Sequence, residues 1–109
     1  MNRLEFSMTV ETICRGALTA VDKNLETRTP DNDPFFVFKD VGMDGIHAVI
    51  KMKLRRIEVL GTLFPSRKFL NEMLSELHDV IGYAAIEGAT IADQLKNLNS
   101  EEEKGPGGL

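Results

Sequence analysis

Glu72, Glu76, Asp79 and Tyr83 follow one another at intervals of four, three and four residues. At about 100° per residue on a helix, that spacing gathers them into one narrow stripe. Carboxylates grouped this way repel one another unless water or a cation screens them, and Mg²⁺ is a hard ion that favours such oxygens. The stripe is therefore either the solvated face of an amphipathic helix or a site for a metal or a nucleotide.

A second anomaly lies upstream. Ile46, Val49, Ile50, Leu54, Ile57 and Leu60 form an apolar arc, and helical projection places Lys53 inside that arc with Arg56 on its edge. Lysine is rarely buried without a partner. Either Lys53 lays its methylene stem along the arc and carries its ammonium to the rim, or Lys53 and Arg56 point into a pocket. There they would meet carboxylates of the striped helix or phosphates of a ligand.

Other candidates carry less chemistry. His47 and His78 have no second nitrogen or sulfur ligand at a useful spacing and read as structural or solvated. Cys14 is the only cysteine; with Arg15 as its one nearby cation it reads as a buried, inert thiol. A single thiol also excludes an internal disulfide and a cysteine zinc site within one chain. No glycine-rich phosphate loop, nucleophile elbow or zinc motif occurs.

These side chains need elements to position them. Phe6, Val10, Ile13, Ala17 and Val21 recur at helical steps, predicting a first helix from Phe6 to about Val21 with Ser7 or Thr9 as its cap. Thr29-Pro30-Asp31-Asn32-Asp33-Pro34 is dense in turn formers and predicts a loop. The following Phe35-Phe36-Val37-Phe38 reads as a short buried strand or extended plug, or else as an exposed aromatic platform. Asp44 is the predicted cap of a second helix from Gly45 to about Leu60, ended by Gly61 and Pro65. Ser66 is the predicted cap of a third.

That third helix is the clearest element. Leu70, Leu74, Leu77, Ile81, Ala84, Gly88, Ile91 and Leu95 alternate steps of four and three, a seam that calls for a partner helix. Ser100 to Leu109 is polar and glycine-rich and is expected to form a flexible tail beyond a helical domain of residues 1–99.

Bulk properties bound the reading. A chain of 109 residues, 42% hydrophobic and 28% charged, is sized and composed for one globular domain. Thirteen Lys and Arg against seventeen Asp and Glu give a net charge of −4, which argues against nucleic acid as a partner. The N-terminus lacks a basic segment followed by an apolar run, and no stretch approaches the roughly 20 apolar residues of a membrane span. A cytosolic location without membrane contact is the expectation. Three helices with strong apolar stripes bury little surface alone, so the fold expected is an all-α bundle completed by self-association into a homo-oligomer.

Taken together, these segments resemble the all-α nucleoside triphosphate pyrophosphohydrolases, the group that contains MazG-type enzymes and dimeric dUTPases. Ser75-Glu76-Leu77-His78-Asp79-Val80-Ile81-Gly82-Tyr83 is similar to that group's Glu-x-x-Asp metal-binding half. The chain resembles more closely a phage and bacterial branch described as nucleotide-modification-associated. That branch carries, in order, an Asp-Pro-Phe segment, a glycine-bounded helix with Lys-x-x-Arg, and an Asp-x-x-Gly-Tyr-Ala helix. Here these are Asp33-Pro34-Phe35, then Lys53 and Arg56 after Gly42 and Gly45, then Asp79, Gly82, Tyr83 and Ala84, so the likeness covers roughly Asp22 to Ile91.

The resemblance implies a MazG-like bundle, Mg²⁺, and cleavage between the α and β phosphates of a nucleotide. It implies Glu76 and Asp79 as catalytic carboxylates, Glu58, Glu72, Glu76 and Asp79 as metal ligands, and Lys53, Arg56 and Tyr83 as nucleotide-binding residues. The chain departs from the enzymes where they carry Glu-x-x-Glu: Arg55-Arg56-Ile57-Glu58 keeps only Glu58, and Met52 stands where the closer branch often has Asp. Hydrolysis needs several carboxylates to hold metal and activate water. The departure therefore leaves open a catalytically inactive binding or sequestering protein, as well as a purely structural interaction module.

Overall fold

The computed structural model describes residues 1–28 and 36–103, with side chains over 1–23 and 41–101. Three helices follow in order: α1 (Arg3–Arg28), α2 (Phe36–Gly61) and α3 (Arg67–Glu103). No strand occurs among the described residues, and the fold is all-α.

α1 starts earlier than its apolar periodicity indicates. Asn2 Oδ1 accepts from the Glu5 backbone N–H at 2.9 Å, and Glu5 Oε1 accepts from Asn2 Nδ2 at 3.0 Å. The first of these bonds satisfies an orphan backbone donor of the first turn, and the second holds the Asn2 cap in place. Ser7 and Thr9, expected as caps, therefore lie inside the helix, where the Thr9 hydroxyl donates to the Glu5 carbonyl at 2.7 Å.

α2 also begins before its expected start. The backbone of Phe36–Phe38 is helical, which corrects the extended reading of that segment; Phe35 and the turn-forming residues 29–34, including Asp33 and Pro34, lie outside the described residues. Gly42 breaks the helix with φ 68° and ψ 178°, a region that only glycine occupies readily. The break brings Gly45 so close beneath Val41 that a methyl group there would stand 2.5 Å from Val41 Cβ. Both glycines are thus required by the kink that separates an N-terminal turn from the segment bearing Lys53 and Arg56.

The turn between α2 and α3 is tight. Thr62 and Leu63 donate their backbone N–H groups to the carbonyls of Val59 and Leu60, and Ser66 Oγ caps α3 by accepting from Phe69 N at 3.1 Å, as its position after Pro65 predicts. α3 then runs 37 residues to Glu103, four residues into the segment expected as a tail.

α2 and α3 form an antiparallel hairpin: Gly61 approaches Met73 near the turn, Lys53 meets Glu76 and Asp79, and His47 meets Glu87 further along. α1 packs on a different face of α3, where a methyl on Gly82 would lie 3.1 Å from Val21 Cγ2 and one on Gly16 3.7 Å from His78 Nε2. Both contacts advance together along the two chains, so α1 and α3 run in the same direction. Ala17 and Ile46 are the buried hydrophobic residues described, a small core for three long helices.

Candidate functional site

The cluster on the hairpin is built by register. Lys53 projects from α2 toward α3, and the i, i+3 spacing of Glu76 and Asp79 sets their carboxylates one turn apart on the facing surface. Lys53 Nζ donates to Asp79 Oδ2 at 2.8 Å and to Glu76 Oε2 at 3.3 Å. One turn away on α2, Arg56 Nη1 reaches Glu76 Oε1 at 3.0 Å.

Burial is graded across the group. The side chains of Glu76 and Lys53 are 11% and 16% exposed, whereas those of Asp79 and Arg56 are 48% and 61% exposed. Glu76 is therefore a buried carboxylate held between two cations, which is what makes burial of a charge tolerable. The arrangement pairs two positive with two negative groups.

The hydrogen bond to Asp79 is the main influence on Lys53 and raises its pKa above the ordinary 10.5; burial opposes it, and Glu76 adds to the rise.

The sequence left two readings of Lys53 open, and the structure selects pairing with α3 carboxylates. It likewise turns part of the acidic stripe toward α2: Glu72 and Tyr83 are half-buried on α3, flanking Glu76 and Asp79 along the helix. Glu58 is exposed on α2. Among the described residues no group of three or more His, Cys, Asp and Glu side chains assembles to hold a metal ion, so Glu58 and Glu72 do not join Glu76 and Asp79 in a free-standing site. Magnesium usually takes one or two carboxylates and completes its shell with water and phosphate oxygens. Glu76 and Asp79 are in this structure engaged by Lys53 and Arg56 instead.

Beside Arg56, an open cleft of about 200 Å³ is lined by Arg55, Arg56, Val59 and Leu60. Ligand pockets occupy about 300–1,000 Å³. The cleft is smaller than that and open to solvent.

One pair escaped the sequence reading. His47 Nε2 lies 2.8 and 2.9 Å from the two carboxylate oxygens of Glu87, tying the first turns after the kink to α3. The signal was present: Glu87 continues the Glu72, Glu76, Asp79, Tyr83 progression by a further four residues. Cys14 is exposed, not buried, because the α1 surface that meets α3 is the one bearing Ile13, Ala17 and Val21.

No helix among the described residues is long and apolar enough to cross a membrane. Compared with known proteins, the chain matches no family model, no curated protein and no solved structure.

Proposed function

We propose that this chain binds the phosphates of a nucleotide at the cluster of Lys53, Arg56, Glu76 and Asp79. The observation that supports the reading is the convergence of an ammonium and a guanidinium from α2 on one partly buried spot of α3. A point cation and a planar fork are the two side-chain types that recognise phosphate oxygens. In the bound form phosphate oxygens replace carboxylate oxygens as partners of Lys53 and Arg56. Tyr83, one turn beyond Asp79 on α3, flanks the ligand, while the cleft lined by Arg55, Arg56, Val59 and Leu60 takes an apolar part of it.

In its enzymatic form this proposal is the Mg²⁺-dependent nucleoside triphosphate pyrophosphohydrolase that the MazG-like resemblance implies. Glu76 and Asp79 would be the carboxylates that hold the ion beside phosphate oxygens, with Glu72 or Glu58 assisting. A second reading, a catalytically silent nucleotide-binding or sequestering protein, is favoured by a specific observation. Both principal carboxylates already neutralise cations, and among the described residues no third acidic group stands with them. A cytosolic and phage-related setting belongs to either form.

Incubation with a panel of NTPs and dNTPs, with and without Mg²⁺, separates the two forms: pyrophosphate release identifies the enzyme, and metal-independent binding without product the silent protein. Absence of both pyrophosphate and binding, or binding unchanged in Lys53→Ala, overturns the proposal.

A further inference from the structure

α3 has three faces. Seen down its axis, His78 and Gly82 meet α1, while Met73, Glu76, Asp79 and Glu87 meet α2. The third face carries the leucine seam, and no described residue covers it: Leu70, Leu74, Leu77, Ile91 and Leu95 remain 37–58% exposed. Water-exposed leucines over about 38 Å of one helix form an unusually long apolar strip for a protein surface.

The spacing of the seam specifies its occupant. From Leu70 to Leu95 the steps are four, three, four, three, four, three and four, the same read from either end. An antiparallel second copy therefore meets the seam with itself: Leu70 opposite Leu95, Leu74 opposite Ile91, Leu77 opposite Gly88, and Ile81 opposite Ala84. Each heptad a position then faces a d position, the layering of antiparallel helix pairs. A large residue opposes a small one in both layers nearest the centre, which lets the helices approach closely there. A twofold interface demands this kind of self-complementary patch.

Charge points the same way. α3 opens with Arg67 and Lys68 and closes with Glu101, Glu102 and Glu103. Each group sits at the end of α3 where the helix dipole disfavours it. An antiparallel neighbour brings the acidic end of one copy beside the basic end of the other and relieves both, whereas a parallel neighbour stacks like charges. The eleven positions from Ile91 to Glu101 lend themselves to this, since every one of their side chains is exposed.

We infer that two copies of this chain associate through the α3 seam, antiparallel, about a twofold axis between residues 82 and 83. The inference is independent of the phosphate-binding reading.

The full-length chain carrying Cys14→Ser supplies the test. Light scattering should give twice the monomer mass. Leu74→Glu together with Leu77→Glu should halve that mass while circular dichroism keeps its helical intensity, because both leucines are exposed in the single chain. Under oxidising conditions Leu70→Cys combined with Leu95→Cys should form a covalent dimer, and either substitution alone should not. An intrachain bridge is impossible at the roughly 38 Å that separate those positions on a straight helix. A monomeric parent protein, a dimer that survives both glutamates, or a cross-link from Leu70→Cys alone would overturn the inference.

Discussion

Lys53 joins α2 to α3 through Asp79, its Nζ donating across 2.8 Å to Oδ2 while the same nitrogen reaches Glu76 Oε2 at 3.3 Å. One ammonium thus serves carboxylates a helical turn apart, at the point where the hairpin brings its polar groups inward. Several expectations follow from how unequally the four members of this group are exposed.

Lys53→Met should destabilise the fold by about 1–3 kcal/mol, because it strips a buried carboxylate of one of its two cations. Arg56→Ala should lose less than about 1 kcal/mol, since the guanidinium is mostly in water and its attraction to Glu76 is screened there. Urea unfolding of the two variants checks the order. A larger loss for Arg56→Ala would contradict the burial gradient.

The alkaline limb of stability should carry the imprint of Lys53. Its pKa is raised in the folded chain by Asp79 foremost and Glu76 next, against the opposing effect of burial. The folded state therefore holds that proton more tightly than the unfolded one. The stabilisation is complete below the ordinary value of 10.5 and is lost as pH climbs through the raised folded value. The stability difference between wild type and Lys53→Met should stay level from about pH 7 to pH 10 and shrink above that. A difference that widens with alkalinity would refute the assignment.

At the kink, Gly42→Ala should destabilise the protein by about 1–3 kcal/mol through backbone strain alone. Gly45→Ala should be comparably harmful for another reason, the approach of its methyl group to Val41 Cβ. Adding Val41→Gly should therefore relieve Gly45→Ala and leave Gly42→Ala unrelieved. A double-mutant cycle measured by thermal unfolding tells the two mechanisms apart.

Where α1 meets α3, Gly82→Leu has no room beside Val21 and should lower stability by about 1–3 kcal/mol. Amide hydrogen exchange should locate the damage. Protection in α1 should fall first, while the α2–α3 hairpin around Lys53 and Glu76 retains its slow amides.

Much of this organisation was legible in the residues. Ser66 and Gly61 marked the turn between α2 and α3 because cap and stop chemistry is local, and Lys53 announced an inward partner because an ammonium in an apolar arc needs one. Three things were hidden. The start of α1 depends on Asn2 and Glu5 reaching back to one another, which apolar periodicity does not register. The helical backbone at Phe36–Phe38 overrides the β-preference of aromatic and β-branched residues, a weak propensity that context readily reverses. The orientation of α3 was ambiguous because its leucine seam and acidic stripe both lay claim to the interior, and periodicity alone does not say which one α2 covers. Pairing of Glu76 with Lys53 and Arg56 decided it in favour of the stripe.

The fastening of α2 to α3 by Lys53 ties occupancy to tertiary order. A guest that takes this ammonium without replacing the link across the hairpin forfeits that bond, binds weakly for it and raises the melting temperature only a little. A guest that itself spans both helices keeps the link, binds more tightly and raises it further at the same concentration. The size of the melting shift at equal guest concentration would therefore tell a molecule astride the hairpin from one that holds a single side of it, before any product is looked for.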